Sequence, residues 1–224
     1  MTNPTAAASL AAQVKEMEAG VAAQAPAAAL QTFAAEQARL DAGGVPAGVA
    51  AAGTALPEAD LLDVHGAPTT MSAARGGRPA VVVFYRGAWC PYCNLALRVY
   101  EEQLRPELDA RGVGLVAVSP QRPDGSLTMQ ETNNLTYTVV SDPGNSIAKA
   151  LGVLSTVSDE MTATQQGLGL DVAAGNADGT GEIPMPTTLV VDAAGTIRWI
   201  DVHPNYATRS EPADILAAVA STLG

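Results

Sequence analysis

Hydrophobic positions recur along this chain in two periods. Over residues 5–41, Leu10, Val14, Met17 and Val21 fall at three- and four-residue steps; after a break at Pro26, a weaker stripe continues through Leu30, Phe33 and Leu40. That spacing predicts two helices, with alanine filling the gaps as helix propensity favours. The Gly/Pro-rich stretch that follows breaks the pattern. The expected organisation is an N-terminal helical extension over 1–42, a linker over 43–57 and one larger domain over 58–224. The helical pair either packs on its own domain or forms an arm against a second subunit, and the latter would make a homodimer.

Within 58–224 the periods alternate. Residues 59–71 predict a short hairpin turning at His65-Gly66. "PAVVVFY" (79–85) and "VGLVAVS" (113–119) are continuous apolar runs, as in strands buried on both faces. Between them Leu97, Tyr100, Leu104 and Leu108 keep helical spacing, with Pro106 expected to kink the helix and Gly112 to end it. A turn and a short helix precede a third strand, "YTVVSD" (137–142). A helix over 143–152 is expected to be capped by Asn145 and closed by Gly152. Residues 153–183 show no clear period and read as an insertion or long loop. Residues 187–202 predict a strand hairpin turning at Ala193-Ala194-Gly195, and Pro212 opens a last helix through Ile215, Leu216 and Val219. This order predicts an α/β fold whose central sheet is mixed, because the final hairpin is antiparallel.

Composition narrows the function classes. The chain has 224 residues, 47% of them hydrophobic, so a buried core is expected. The net charge of −11 and the lack of a basic stripe exclude a phosphate-backbone partner such as nucleic acid. No apolar stretch is long enough to cross a membrane. The N-terminus carries no cationic n-region before Lys15, so a reducing cytoplasm is the expected compartment.

The two cysteines, Cys90 and Cys93, stand in Trp89-Cys90-Pro91-Tyr92-Cys93, between a buried strand and a helix. The loop they could close is too small for a global staple. The two histidines, His65 and His203, have no ligand-like spacing to the pair, so no metal site and no cofactor are expected. At a strand-to-helix junction, unpaired N–H groups favour a thiolate. A second thiol one turn along can then resolve the oxidised first one as a disulfide. Arg86 can add positive potential, and Trp89 and Pro91 shape the loop. The second signal is "IPMPTTLVV": Pro186 precedes a strand and can adopt the cis form, turning the Met185 backbone toward an incoming chain.

The segments "FYRGAWCPYCN", "VAVSPQ", "NNLTYTVVSD" and "MPTTLVVDAAGTIR" together resemble the peroxiredoxin-like alkyl hydroperoxide reductase/thiol-specific antioxidant group of the thioredoxin superfamily, over roughly residues 50–220. The resemblance implies a thioredoxin-like fold, a redox-active cysteine, a hydroperoxide substrate, and a thioredoxin-like or low-molecular-weight thiol as reductant. It also implies that Pro186 faces the cysteine pair. Counting from Phe84-Tyr85, the family's peroxidatic slot falls on Cys93, its threonine slot on Cys90 and its proline slot on Arg86. The late-strand arginine slot falls on Pro186. Access and local electrostatics favour Cys90 as the nucleophile instead, with Cys93 one turn deeper as the resolving thiol. Three functions follow: a thiol-dependent peroxidase first, a thioredoxin-like protein thiol–disulfide oxidoreductase second, and a non-catalytic redox sensor third.

Overall fold

The computed structural model describes residues 8–224. In chain order its elements are α1 (Leu10–Ala22), α2 (Ala27–Gly43), β1 (Asp60–Asp63), β2 (Pro68–Thr70), α3 (Met71–Ala74), β3 (Ala80–Phe84) and α4 (Pro91–Val99). A π-helical turn (Tyr100–Leu104) leads from α4 into α5 (Arg105–Asp109). Then come β4 (Gly114–Ser119), α6 (Pro123–Thr132), β5 (Thr138–Ser141), α7 (Ser146–Ala150), β6 (Leu154–Ser155), α8 (Asp159–Gly167) and α9 (Val172–Gly175). The chain ends with β7 (Ile183–Pro184), β8 (Thr187–Val191), β9 (Ile197–Val202) and α10 (Pro212–Leu223).

Seven strands form one mixed sheet in the order β2-β1-β5-β4-β3-β8-β9. The central strands β3, β4 and β5 run parallel, and β8 pairs antiparallel to β3 with Phe84 opposite Thr187. Both faces of β3 are covered, which explains its unbroken apolar run. Val81, Val83 and Tyr85 face α1, α4 and α10, whereas Ala80, Val82 and Phe84 pack with Ile147, Ala148 and Leu151 on the other side. Among the described residues, no helix is long and apolar enough to cross a membrane.

Three local expectations are corrected. The kink expected at Pro106 is a π turn just before it: the Arg105 N–H bonds to the Tyr100 carbonyl five residues back, a register slip common at helix irregularities. Asn145 sits at the N-cap of α7 but is left-handed (φ 54°) and makes no cap bond. Asp142 does the capping, accepting from the N–H groups of Ser146 (2.8 Å) and Ile147 (2.9 Å). Residues 153–183 are also more than a loop. They carry the β6–β7 pair, α9, and α8, whose N-cap Ser158 accepts from the Met161 N–H. Met161 and Gln165 are the buried residues of α8, too few for a visible stripe.

Candidate active site

The site begins where β3 runs out. After Tyr85, the loop 86–89 leads into Cys90, which is the N-cap of α4 in extended conformation. Pro91 follows at the first helical position, where its missing N–H costs nothing. The loop is pinned from two sides. Gln121 accepts from the Ala88 N–H at 2.6 Å, and Asn94 donates to the carbonyls of Ala88 (2.7 Å) and Cys90 (2.9 Å). Asn133 in turn donates to the Asn94 amide oxygen at 2.7 Å. Gly87 has φ 154°, and a Cβ there would lie 2.4 Å from Trp89 Nε1 and 2.9 Å from Gln121 Cδ. Glycine is therefore required for the loop to fold back under Trp89.

Cys90 and Cys93 are one helical turn apart, both reduced and both buried, at 1% and 0% exposure. Arg209 enters from the loop between β9 and α10, and its Nη2 lies 3.2 Å from Cys93 Sγ. Arg209 is itself held by the carbonyls of Tyr206 and Thr208, which accept from Nη1. The loop is anchored by Tyr100, whose hydroxyl donates to the Ser210 carbonyl at 2.7 Å, and by the Ser210 hydroxyl on Asp201 at 2.8 Å.

Burial raises both thiols, but the two do not end alike. At Cys93 it is outweighed by the Cys90 S–H, the Arg209 charge and the Arg86 backbone N–H, which hold the thiol well below its ordinary range. Cys90, desolvated and facing the Cys93 anion, is pushed well above it. One proton is thus shared by two sulfurs, with the negative charge on Cys93. This runs against the expectation that the charge would settle on Cys90. The helix terminus acts on both residues, but the arginine contact falls on Cys93 alone.

Arg86 is buried, its guanidinium lying 5.0 Å from the Trp89 ring centre and 4.5 Å from that of Tyr206. Tyr206 meets Tyr92 edge to face at 5.7 Å. These residues surround a small pocket of about 150 Å³ that has Cys90 on its wall. Among the described residues, no three His, Cys, Asp or Glu side chains converge as metal ligands.

The structure brings Cys90, Cys93, Arg86, Trp89 and Pro91 together. Pro186 precedes the residue paired with Phe84, which puts it at the same end of the sheet. The expectation for Met185–Pro186 is corrected in two respects. No peptide bond among the described residues is cis. The Met185 backbone is also already engaged: its N–H bonds to the Val153 carbonyl at 2.7 Å and its carbonyl accepts from the Thr187 hydroxyl at 2.9 Å. Its side chain is buried in the core on the opposite face from the cysteines. Met185 therefore offers no edge to an incoming chain.

Three contributors escaped the sequence reading. Arg209 and Tyr206 lie in "HPNYATRS", which has no period and no motif. Gln121 was in view within "VAVSPQ", but nothing in the chain's pattern connects it to the loop it holds.

The family model described as the AhpC/TSA family matches residues 52–200. Two Mycobacterium tuberculosis proteins with provisional peroxiredoxin names are each 28% identical over 100 residues, 45% of this chain. The matched stretch spans 62% of their length. Among solved structures, reduced Prx3 in complex with hydrogen peroxide from Vibrio vulnificus aligns at a TM-score of 0.61 and 23% identity, covering 76% of this chain and 99% of that one. Peroxidoxin BcpB from Mycobacterium tuberculosis aligns at 0.57 and 20% identity, covering 76% and 96%. At such identities the structural likeness establishes the fold, which is thioredoxin-like.

Proposed function

Because the chain belongs to the AhpC/TSA family, we propose that it is a thiol-dependent peroxidase in which Cys93 attacks and Cys90 resolves. One observation carries the reading: the Arg209 guanidinium is 3.2 Å from Cys93 Sγ, beside the Cys90 sulfur. A thiol whose pKa is lowered by a cation and a neighbouring S–H is the better placed of the two to act as the nucleophile. This is also the cysteine that the family register selects, with Arg209 supplying from a later loop the cation missing at Pro186.

The steps balance as follows. The Cys93 thiolate attacks the distal oxygen of ROOH and the O–O bond breaks. Cys93 becomes the sulfenic acid, and the leaving alkoxide takes the Cys90 proton to give ROH. Cys90, now a thiolate, attacks the Cys93 sulfur and expels hydroxide, which is protonated to water, leaving a Cys90–Cys93 disulfide. A thioredoxin-like or low-molecular-weight dithiol then reduces that disulfide by exchange. Cys93 is fully buried, so peroxide reaches it when the Cys90 side chain turns aside. The same turn breaks the S–H···S contact and frees Cys90 for its next task.

The protein disulfide oxidoreductase reading is the weaker one, since the Met185 backbone, which would have paired with an incoming chain, is already engaged on both sides.

Single Cys→Ser variants test the assignment. Cys90→Ser treated with limiting peroxide should react and be trapped by a dimedone-type reagent at Cys93. Cys93→Ser should react slowly and carry no such label. The opposite labelling would return the nucleophile's role to Cys90. Equal inertness of both variants and of the unmodified chain would end the peroxidase reading.

A further inference from the structure

The N-terminal helices and the 153–183 segment share a feature that the peroxidase reading leaves unused. They pack against each other, α2 on α8, and together line the pocket that has Cys90 on its wall. Val21 and Phe33 come from α1 and α2, and Met161 and Leu168 from α8 and its C-cap. Trp89, Tyr92 and Tyr206 complete the wall. The chain has two Trp, five Tyr and two Phe, and four of these, Phe33 included, are gathered at this one pocket. Arg86 is the one charged residue of the lining, and it lies on the Trp89 and Tyr206 rings.

The roof is fastened on both sides. The Leu10 and Ala11 N–H groups donate to Glu211 at 2.9 and 2.8 Å, and the Tyr92 hydroxyl donates to Glu18 at 3.0 Å. Tyr206 donates to the Phe33 carbonyl at 3.3 Å, and buried Glu36 accepts from Arg39 and from the Ser158 N–H. The pocket is thus built by the fold, not left by a loose terminus.

We propose that this pocket binds the aryl group of a bulky organic hydroperoxide and makes such a compound, rather than hydrogen peroxide, the preferred substrate. The inference rests on the peroxidase reading above and concerns what its site selects. A volume of about 150 Å³ matches the size of apolar cavity that takes up a benzene ring. A lining of aromatic and thioether side chains offers ring edges and faces to an aromatic guest. With the ring so placed, the –OOH group lies toward Cys90 and Arg86. Hydrogen peroxide, by contrast, fills little of the volume and gains nothing from the apolar wall. An extended acyl chain is too long for a pocket of this size.

The test uses the full-length reduced chain with cumene hydroperoxide and hydrogen peroxide, following cysteine oxidation by rapid-mixing tryptophan fluorescence. Even one methylene fitted to an apolar pocket is worth about ten-fold or more in discrimination. The expected second-order rate constant for cumene hydroperoxide is therefore at least about ten times that for hydrogen peroxide. Leu168 is exposed at the mouth, so Leu168→Asp should fold; the ratio of the two rate constants should drop about five-fold or more. An unmodified chain that prefers hydrogen peroxide, or a ratio unchanged in Leu168→Asp, would overturn the inference and leave the peroxidase reading standing. Binding of the alcohol product, 2-phenyl-2-propanol, is read separately by NMR. Saturable shifts at pocket residues, weakened in Leu168→Asp, support the pocket even if neither peroxide reacts, an outcome that would fall on the peroxidase reading instead. The absence of such shifts up to the solubility limit overturns the pocket.

Discussion

Replacing Arg209 with methionine removes the cation beside Cys93 while keeping much of its length. Two unit charges at the observed 3.2 Å attract by about 5 kcal/mol at an effective dielectric of ~20. Arg209 is half-buried, so water takes up part of that loss, and Arg86 remains nearby; about half, roughly 2–3 kcal/mol, is a reasonable net figure. At ~1.4 kcal/mol per unit, the Cys93 midpoint should rise by about two pKa units. Below both midpoints the thiolate fraction then falls about a hundred-fold. The more basic thiolate is the better nucleophile and returns about ten-fold, leaving about a ten-fold loss from ionisation. Above the new midpoint the Cys93 thiol is ionised in both proteins and the ionisation loss disappears; the more basic thiolate then keeps its roughly ten-fold gain, reduced by the missing stabilisation of charge on the departing oxygen. The assay is ultraviolet thiolate absorbance against pH, run beside the peroxide rate over the same range. A midpoint shift of less than about half a unit would refute the electrostatic argument, because the contact would then be worth under ~0.7 kcal/mol.

Two further outcomes follow from the geometry. Gly87→Ala forces a Cβ against Trp89 Nε1 and Gln121, and should lower stability by about 1–3 kcal/mol in urea unfolding; wild-type stability would show that the loop has room to shift. Stability of the reduced chain should rise as pH climbs from the depressed Cys93 pKa to the ordinary thiol value of ~8.5, because the unfolded chain holds more protons there; above it, stability should fall, because folded Cys90 keeps a proton that the unfolded chain has lost. Urea midpoints across that range check this, and the disulfide form, which has neither thiol, should lack this contribution; identical profiles for the two forms would refute it.

The parts of this molecule legible in its sequence are those whose cause is local. The run Val81–Phe84 reads as a strand buried on both faces because every residue in it is covered. The Cys90–Cys93 spacing reads as a helix start because Pro91 can occupy the first turn and the second cysteine falls one turn on. What escaped depends on contacts distant in the chain. Arg209 is 116 residues from Cys93, in a loop whose shape comes from hydrogen bonds to Tyr100, Asp201 and its own carbonyls. Its neighbours give no period to detect. The same holds for Met185, which the sequence shows before a proline and a strand. That its N–H is taken by Val153 follows from where β6–β7 docks. Helix α8 was within reach: Ser158 followed by Asp159 and Glu160 is an N-terminal signal, but a buried face of two residues gave it no stripe.

The placement of charge on Cys93 and of Cys90 on the pocket wall ties these features together. A thiolate open to bulk water would meet any oxidant. Here the ionised sulfur is covered, and the sulfur at the pocket is protonated and a poor nucleophile. Reaction therefore needs a guest that occupies the pocket long enough for Cys90 to turn aside. Once Cys93 is oxidised, the relation inverts. Cys90 has lost its proton to the leaving group, no longer faces an anion, and lies one turn from the sulfenic sulfur, so the disulfide can form without unwinding α4. A resolving thiol distant in the chain would need a segment to move before the sulfurs could meet. With both thiols in one helical turn, that cost is removed, and the rate of resolution should not depend on the stability of α4.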